Sequence, residues 1–527
     1  MKRRDFLKHT VPATVLPAFL NGFSIKAFGA SPLLEALQGA GEQNDHVLVM
    51  IQMTGGNDGL NMVIPIDKYD KYQAARSNIA IQQGKVLRLA NYEKAGLHPS
   101  MKGVQELYDK GKVCVIQGVG YPSPNYSHFR ATDIWLTGSD SNQILTTGWA
   151  GRYLSDAYPG YPNGFPNSDM PDPLAIQIGS IVSPAFQGNN ANMGMAITSA
   201  TNFYDLINGT ADPVPNTHAG KELKYIRLIA QQSNKFADSI KLAAGKVTQQ
   251  SPYPNTNLAQ QLKIVARLVA GGLKTRLYMV SMGGFDTHAS QTNGGDTSTG
   301  THAKLLEELS TAIKAFMDDL TQLKASKRVV GMTFSEFGRR IKSNFSMGTD
   351  HGAAAPMIIF GDYVMQGVLG NTPTMPDAAS VVDNIPMQYD FRSVYASLLE
   401  QWFCLKQADL ERILLEDYQR LPIVNGIACG LITGIDDVNQ DGAKLTLTNY
   451  PNPFDNNTVI KYKTKGGHTL LQIFDTMGRL IQVPVNRVHT PGEYTITFNG
   501  AGLSNGIYYV RLQNGSLQQV HAMMKVR

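Results

Sequence analysis

Five segments of this 527-residue chain set carboxylates, imidazoles or hydroxyls beside glycine. They are Gly55-Gly56-Asn57-Asp58-Gly59, the stretch from Gly120 to Arg130 that contains Ser127 and His128, Gly283-Gly284-Phe285-Asp286-Thr287-His288, Ser335-Glu336-Phe337-Gly338-Arg339, and Gly348-Thr349-Asp350-His351-Gly352. Glycine lets backbone approach a ligand or another loop closely, so polar side chains next to it are well placed for a site. Taken singly, each segment has an ordinary reading. A lone Gly-Gly-Asn-Asp-Gly is a turn, Asp-Thr-His at a strand end is a turn or cap, and Glu336 has Arg339 and Arg340 within reach as ion-pair partners. Taken together they supply Asp58, Asp286, Glu336 and Asp350 as carboxylates, His128, His288 and His351 as imidazoles, and Ser127 as a hydroxyl. Mixed oxygen and imidazole donors without thiolate suit zinc, manganese or iron, in a catalytic rather than a structural site.

The elements that must position these residues are short apolar runs. His46–Met53, Lys112–Val119, Thr275–Ser281, Arg328–Phe334 and Met357–Phe360 read as buried strands. Helical periodicity marks Glu222–Val247, Leu258–Leu273, His302–Leu323 and Phe391–Phe403. Strands alternating with helices predict an α/β fold, a mainly parallel sheet with helices on both faces. Ligands of such sheets sit in the loops at the carboxyl ends of strands. Four of the five segments follow a predicted strand and the fifth precedes one, so the fold would gather them at one sheet edge. Region 155–255 holds Pro/Gly/Asn-rich loops and reads as an insertion or lid.

Composition narrows the class. Hydrophobic residues are 43% and charged residues 17%, a globular balance with no run of about 18 apolar residues to span a membrane. Residues 1–30 carry a net charge of +4 and residues 445–527 a net +5, which leaves the body at −4 against a whole-chain +5. An acidic body argues against a nucleic-acid partner, which needs clustered lysine and arginine. Three cysteines without CxxC spacing exclude a disulfide framework or a zinc-thiolate site and leave room for one disulfide. With 3 Trp, aromatic platforms for a sugar are scarce, so a glycosidase using paired carboxylates is the least attractive reading.

The two ends read as addresses. Lys2-Arg3-Arg4-Asp5-Phe6-Leu7-Lys8, a modest apolar stretch and Ala27-Phe28-Gly29 form a signal peptide over 1–29 that resembles the twin-arginine export signal. That route exports folded proteins, which suits a site loaded with metal beforehand. The α/β body spans 30–430 and a linker 431–443. The linker contains Asp437-Val438-Asn439-Gln440-Asp441-Gly442, the opening of a calcium loop whose twelfth position is Thr448 rather than glutamate, so it reads as an acidic linker. From 444 to 527 seven short β-rich runs separated by turns predict a small all-β sandwich. Asn449-Tyr450-Pro451-Asn452-Pro453-Phe454, Phe474-Asp475-Thr476-Met477-Gly478-Arg479, Leu503 through Val510 and the terminal Lys525-Val526-Arg527 resemble the C-terminal sorting domain of the type IX secretion system. The resemblance implies passage through the periplasm, then across the outer membrane to the cell surface or medium.

The body resembles the secreted family catalogued as domain of unknown function 1501. The strings that carry this are Gly55 through Asn61, Gly96-Leu97-His98-Pro99, Ser127-His128-Phe129-Arg130, Gly148 through Leu154, Gly284 through His288 and Ser335 through Arg339. That family is similar in layout to the alkaline phosphatase and sulfatase superfamily. The layout implies one or two divalent ions, with Asp58, Asp286, His288, Glu336, Asp350 and His351 around them. Asp350 is either a ligand or a partner that orients His351, and Glu336 departs from the superfamily's Asp-His. It also implies Ser127 as nucleophile, with Ser123 as the alternative. His128 would orient the nucleophile or donate a proton, and Arg130 or Arg339 would neutralise an anionic substrate. The expected function is metal-dependent hydrolysis of a phosphate or sulfate ester, borne on a small molecule or a polymer. The alternative is a non-catalytic, surface-displayed binding or assembly protein on the same fold.

Overall fold

The computed structural model describes residues 44–199, 236–425, 446–475, 480–514 and 517–526. The expected signal peptide (1–29) and linker (431–443) lie outside the described residues.

The body is built on a nine-stranded sheet: β1 (Val47–Met53), β2 (Val113–Gly120), β3 (Ala175–Ile178), β4 (Gly194–Ile197), β5 (Leu277–Met282), β6 (Val329–Phe334), β7 (Ala355–Gly361), β8 (Gly367–Leu369) and β9 (Tyr389–Asp390). The order is β8-β2-β7-β6-β1-β5-β3-β4, with β9 beside β2. Every residue of β1 is buried, the mark of a strand covered on both faces. Its side chains alternate between two cores. Val47, Val49, Ile51 and Met53 pack with Lys102–Asp109, Asn257–Ala270 and Thr301–Gln322 on one face. Leu48 and Met50 pack with His128–Thr137, Trp149–Ala157, Phe391–Gln401 and Gln407–Leu414 on the other. The α/β class follows directly from this arrangement.

Two details depart from the sequence reading. Strand β7 runs antiparallel to both β6 and β2. The segment between β6 and β7 contains no helix, and a parallel return would need a helical crossover, so the chain doubles back beside its own strand. Part of region 155–255 supplies β3 and β4, which extend the sheet beside β5, while residues 200–235 lie outside the described residues. Among the described cysteines, Cys114 is free and buried and Cys404 is disulfide-bonded. No described helix is long and apolar enough to cross a membrane.

The tail is a separate antiparallel sheet of five strands, Thr446–Tyr450, Asn457–Asp475, Leu480–Asn499, Gly506–Asn514 and Leu517–Lys525. The two long strands replace four of the seven short runs. They pair across the gaps between those runs, Lys465 facing Pro491 and Gly467 facing His489. Gly466 has φ +91, and a Cβ there would come 2.9 Å from Pro491 Cδ, so the ribbon bends at glycine instead of breaking. Leu447, Ile460, Tyr462, Leu471, Phe498, Val510 and Leu512 form its core.

Candidate metal centre

Strands β1, β5 and β6 are adjacent and parallel, so the loops after them emerge at one edge. Gly55 brings the first two into backbone contact. Its φ is +122, and a Cβ there would lie 2.3 Å from Asp286 N. Arg339, with no exposed surface, then stitches three segments together. It donates to the carbonyls of Gly55, Gly56 (2.6 Å), Phe285 (3.1 Å) and Thr349 (2.7 Å) and to Asp286 Oδ1 (2.6 Å).

Three imidazoles meet above this base. His351 Nδ1 lies 2.8 Å from the Tyr126 carbonyl, which can only accept, so Nδ1 carries the proton of the neutral ring and Nε2 is bare. His288 Nδ1 lies 3.0 Å from Asp350 Oδ1, with the same consequence for its Nε2. His128 Nδ1 lies 2.9 Å from Glu336 Oε1. The Nε2 atoms of His288 and His351 are 2.9 Å apart, and each is 3.2 Å from Asp286 Oδ1. His128 Nε2 is 3.5 Å from Asp286 Oδ2. His128, Asp286 and His351 offer donor atoms all within 4.8 Å of one another.

In the tautomers that Tyr126 and Asp350 favour, these lone pairs face one another and repel. A cation among them reverses the sign. In a tetrahedral site with metal–nitrogen bonds of about 2.0–2.1 Å, neighbouring donors stand about 3.3 Å apart, close to the spacing here. Burial alone would raise the Asp286 carboxyl, but the hydrogen bond and charge of Arg339 outweigh it and keep it low. Burial pushes His351 down, toward the neutral form a ligand needs. Burial acts against Asp350 too, yet the His288 and Asn344 hydrogen bonds keep it low and ionised. The donor set therefore fits a divalent ion, with each imidazole turned by an acceptor behind it.

The sequence-predicted residues fall into three groups. Asp286, His288 and His351 come together, and Asp350 joins through His288. Glu336 is 2% exposed and stands behind His128, where Oε1 also accepts from Gly55 N at 2.8 Å, so it backs a ring rather than facing the gap. Asp58 does not join at all. It is fully buried, Arg76 Nη1 donates to its two oxygens at 2.8 and 2.7 Å, and Gln291 Nε2 donates to Oδ2 at 2.6 Å. Burial acts to raise its carboxyl, but the Arg76 charge and hydrogen bonds keep it low. His128, expected to orient a nucleophile or donate a proton, sits among the metal donors instead.

Neither arginine expected to meet an anion is free. Arg339 is spent on carbonyls and Asp286, and Arg130 bonds Asp133 and the carbonyls of Asp140 (3.0 Å), Ser141 (3.3 Å) and Gln143. Ser127 is exposed, one residue before His128, at the N-terminus of the helix His128–Thr137. Its carbonyl takes Ala131 N at 2.8 Å, while its hydroxyl makes no capping bond. Ser123 is also exposed, at φ +52. Arg76, Gln291 and the Tyr126 carbonyl were not anticipated. No motif marks them; only proximity in the fold does.

An α/β domain bearing a three-histidine, one-aspartate cluster, with an all-β tail, is thus the class that fold and site define. Residues 221–413 match the family described as Protein of unknown function (DUF1501), and residues 448–526 match the Secretion system C-terminal sorting domain. The chain therefore carries a segment of that family followed by a type IX sorting tail, which marks it for export to the cell surface or the medium. The first match includes Asp286, His288, Glu336 and His351 but starts beyond Asp58, Ser127 and His128. No curated protein matches. Among solved structures, latent PorU from Porphyromonas gingivalis is 17% identical over 16% of this chain and 10% of its own, with a TM-score of 0.14. This chain thus spans about a tenth of that relative's length. A protein in the alkaline phosphatase superfamily from Vibrio parahaemolyticus is 10% identical over 86% of this chain and 79% of its own, TM-score 0.32. PsFucS1 sulfatase from Pseudoalteromonas sp. is 10% identical over 89% and 86%, TM-score 0.32.

Proposed function

We propose that the body is an exported metal-dependent hydrolase of phosphate or sulfate esters, working with one divalent ion held by His128, Asp286, His288 and His351. The observation that supports this reading is the convergence of bare imidazole nitrogens on Asp286. Bound there, zinc, manganese or iron would act as a Lewis acid on an ester oxygen if that oxygen joined the protein donors or took the place of His288, the one outside the tightest group of His128, Asp286 and His351. Ser127 offers an attacking hydroxyl beside His128, and the free amides of the helix start favour negative charge on it. Arg339 holds Asp286 ionised and fixed, and Glu336, Asp350 and the Tyr126 carbonyl orient the three rings. The ion count falls to one because Asp58 already has its cation in Arg76. We also propose the twin-arginine route and periplasmic transit over residues 1–29, so that folding and metal loading precede export.

A second reading is supported by the engagement of Arg130 and Arg339, which leaves neither to meet an anionic ester. On it the domain is a surface-displayed binding or assembly protein. Elemental analysis of the full chain beside Asp286→Ala/His351→Ala, followed by a panel of phosphate and sulfate esters, decides between them. The hydrolase is expected to hold about one equivalent of metal, lose it in the double variant, and lose turnover in Ser127→Ala. A chain that stays metal-free when offered ions, or that binds metal and cleaves nothing on the panel, overturns it.

A further inference from the structure

We propose that Gln291 and Asp58 form a buried positioning relay for the metal centre, setting the loop that bears Asp286 and His288 against the loop that bears Asp350 and His351. This rests on the metal-centre reading above. Asp58 is ionised and can only accept, so Gln291 must turn its amide nitrogen toward it, at 2.6 Å. The amide oxygen is then left for two donors, and two are there: Thr287 Oγ1 and Thr349 Oγ1, each at 3.0 Å. Thr287 stands between Asp286 and His288. Thr349 immediately precedes Asp350 and His351. Gln291 and Thr349 have no exposed surface and Thr287 is 3% exposed, so water cannot stand in for either hydroxyl.

Asp58 is itself held from behind. Arg76 caps the helix Tyr69–Ala75 and donates to the carbonyls of Arg340 (2.7 Å) and Ile341 (3.0 and 2.9 Å), which begin the segment leading to His351. One chain of hydrogen bonds therefore runs from Arg76 through Asp58 and Gln291 to the residue beside each pair of site groups. Backbone bonds also join the two loops, Thr349 N to the Thr287 carbonyl at 3.1 Å and Gln291 N to the Met347 carbonyl at 2.8 Å. The loops should thus stay folded when the hydroxyls are removed, and only their alignment should suffer. Partners behind a metal ligand typically govern a 10–100-fold range of affinity.

The test compares the full chain with Thr287→Val/Thr349→Val, which removes both donors at constant shape, and Thr287→Ser/Thr349→Ser, which restores them. Thr349→Val alone is a milder variant should the double one fail to fold. Zinc affinity is read by competition with a chromophoric chelator, coordination geometry by the visible absorption of bound cobalt(II), and the fold by thermal unfolding without metal. The valine pair is expected to bind zinc about 10–100-fold more weakly with an altered cobalt band. The serine pair should match the parent, and Thr349→Val should fall between. Valine variants that bind zinc as tightly as the parent, with the same cobalt spectrum, overturn the relay while leaving the metal centre intact. A parent chain that binds neither ion overturns the centre and the relay together.

Discussion

Asp58 and Asp286 follow neighbouring parallel strands, β1 and β5, in loops at the same sheet edge. Their surroundings are opposite. Asp58 has no exposed side-chain surface, and Arg76 and Gln291 saturate it. Asp286 is 47% exposed and faces three imidazole nitrogens, with Arg339 on one oxygen. Around Asp58 donors and acceptors balance, so the region is complete as a piece of protein. Around Asp286 acceptors are in surplus, an arrangement that the proposed ion would complete. A carboxylate at a strand end thus takes its role from what answers it: Arg76 and Gln291 saturate both oxygens of Asp58, whereas Arg339 takes one oxygen of Asp286 and leaves the rest of it to the imidazoles.

The sharpest way to break this contrast is to remove the internal cation. Arg76→Met leaves Asp58 buried and unanswered, and should cost about 3–5 kcal/mol of stability. Asp286→Ala, in metal-free protein, removes a half-exposed group and leaves buried Arg339 its four carbonyl partners, so it should cost less, about 1–3 kcal/mol. Urea unfolding of both variants, stripped of metal, measures the difference. Equal effects would mean that the two aspartates do not differ as their surroundings say.

Acid should attack the complete region next. His98 and His302 lie near Asp58 with ring centroids 6.2 Å apart, and burial pulls them down to about 3 and about 4. His302 Nε2 faces Asn57 Oδ1 at 3.0 Å while Nδ1 has no partner, so a protonated ring would bury an unanswered N–H. An unfolded histidine titrates near 6.5. Between that value and the folded ones the unfolded state holds more protons, so stability rises with pH and is lost as pH falls from about 6.5 toward 4. Each ring contributes about 1.4 kcal/mol per pH unit inside its window, about 3 kcal/mol for the larger part of the loss. His98→Asn/His302→Gln keeps the Nδ1 acceptor and the Nε2 donor and should flatten the slope of unfolding midpoint against pH. An unchanged slope would place the acid sensitivity elsewhere.

The strands were legible because they are unbroken apolar runs with glycine-rich loops after them, and the fold class followed. The sharing of site residues between the two regions was not. Arg76 lies 18 residues from Asp58, outside any periodic segment, and nothing in local spacing says that it turns inward. Asp58 therefore looked as free as Asp286. Glu336 could be named as a site residue from its place after β6, but whether it faces the ion or backs His128 depends on side-chain direction in an irregular loop. The reversal of β7 had a trace in the sequence, since the stretch between β6 and β7 shows no helical periodicity. Strands β3 and β4, four residues each in a loop-rich region, had almost none.

Glu336 offers the smallest and most discriminating test. It and Asp350 do the same work at different depths, Glu336 behind His128 at 2% side-chain exposure and Asp350 behind His288 at 54%. Water can replace part of what Asp350 does and little of what Glu336 does. Glu336→Gln keeps an acceptor for His128 Nδ1 but loses the charge that strengthens the ring as a donor, so zinc should bind about 10-fold more weakly, about 1.4 kcal/mol. Asp350→Asn should cost less, and neither should disturb folding. The competition assay ranks them. If Glu336→Gln abolishes binding as fully as Asp286→Ala, Glu336 touches the ion itself. The expectation drawn from its place in the chain would then be the right one, and the orientation of His128 would have to be explained by something else.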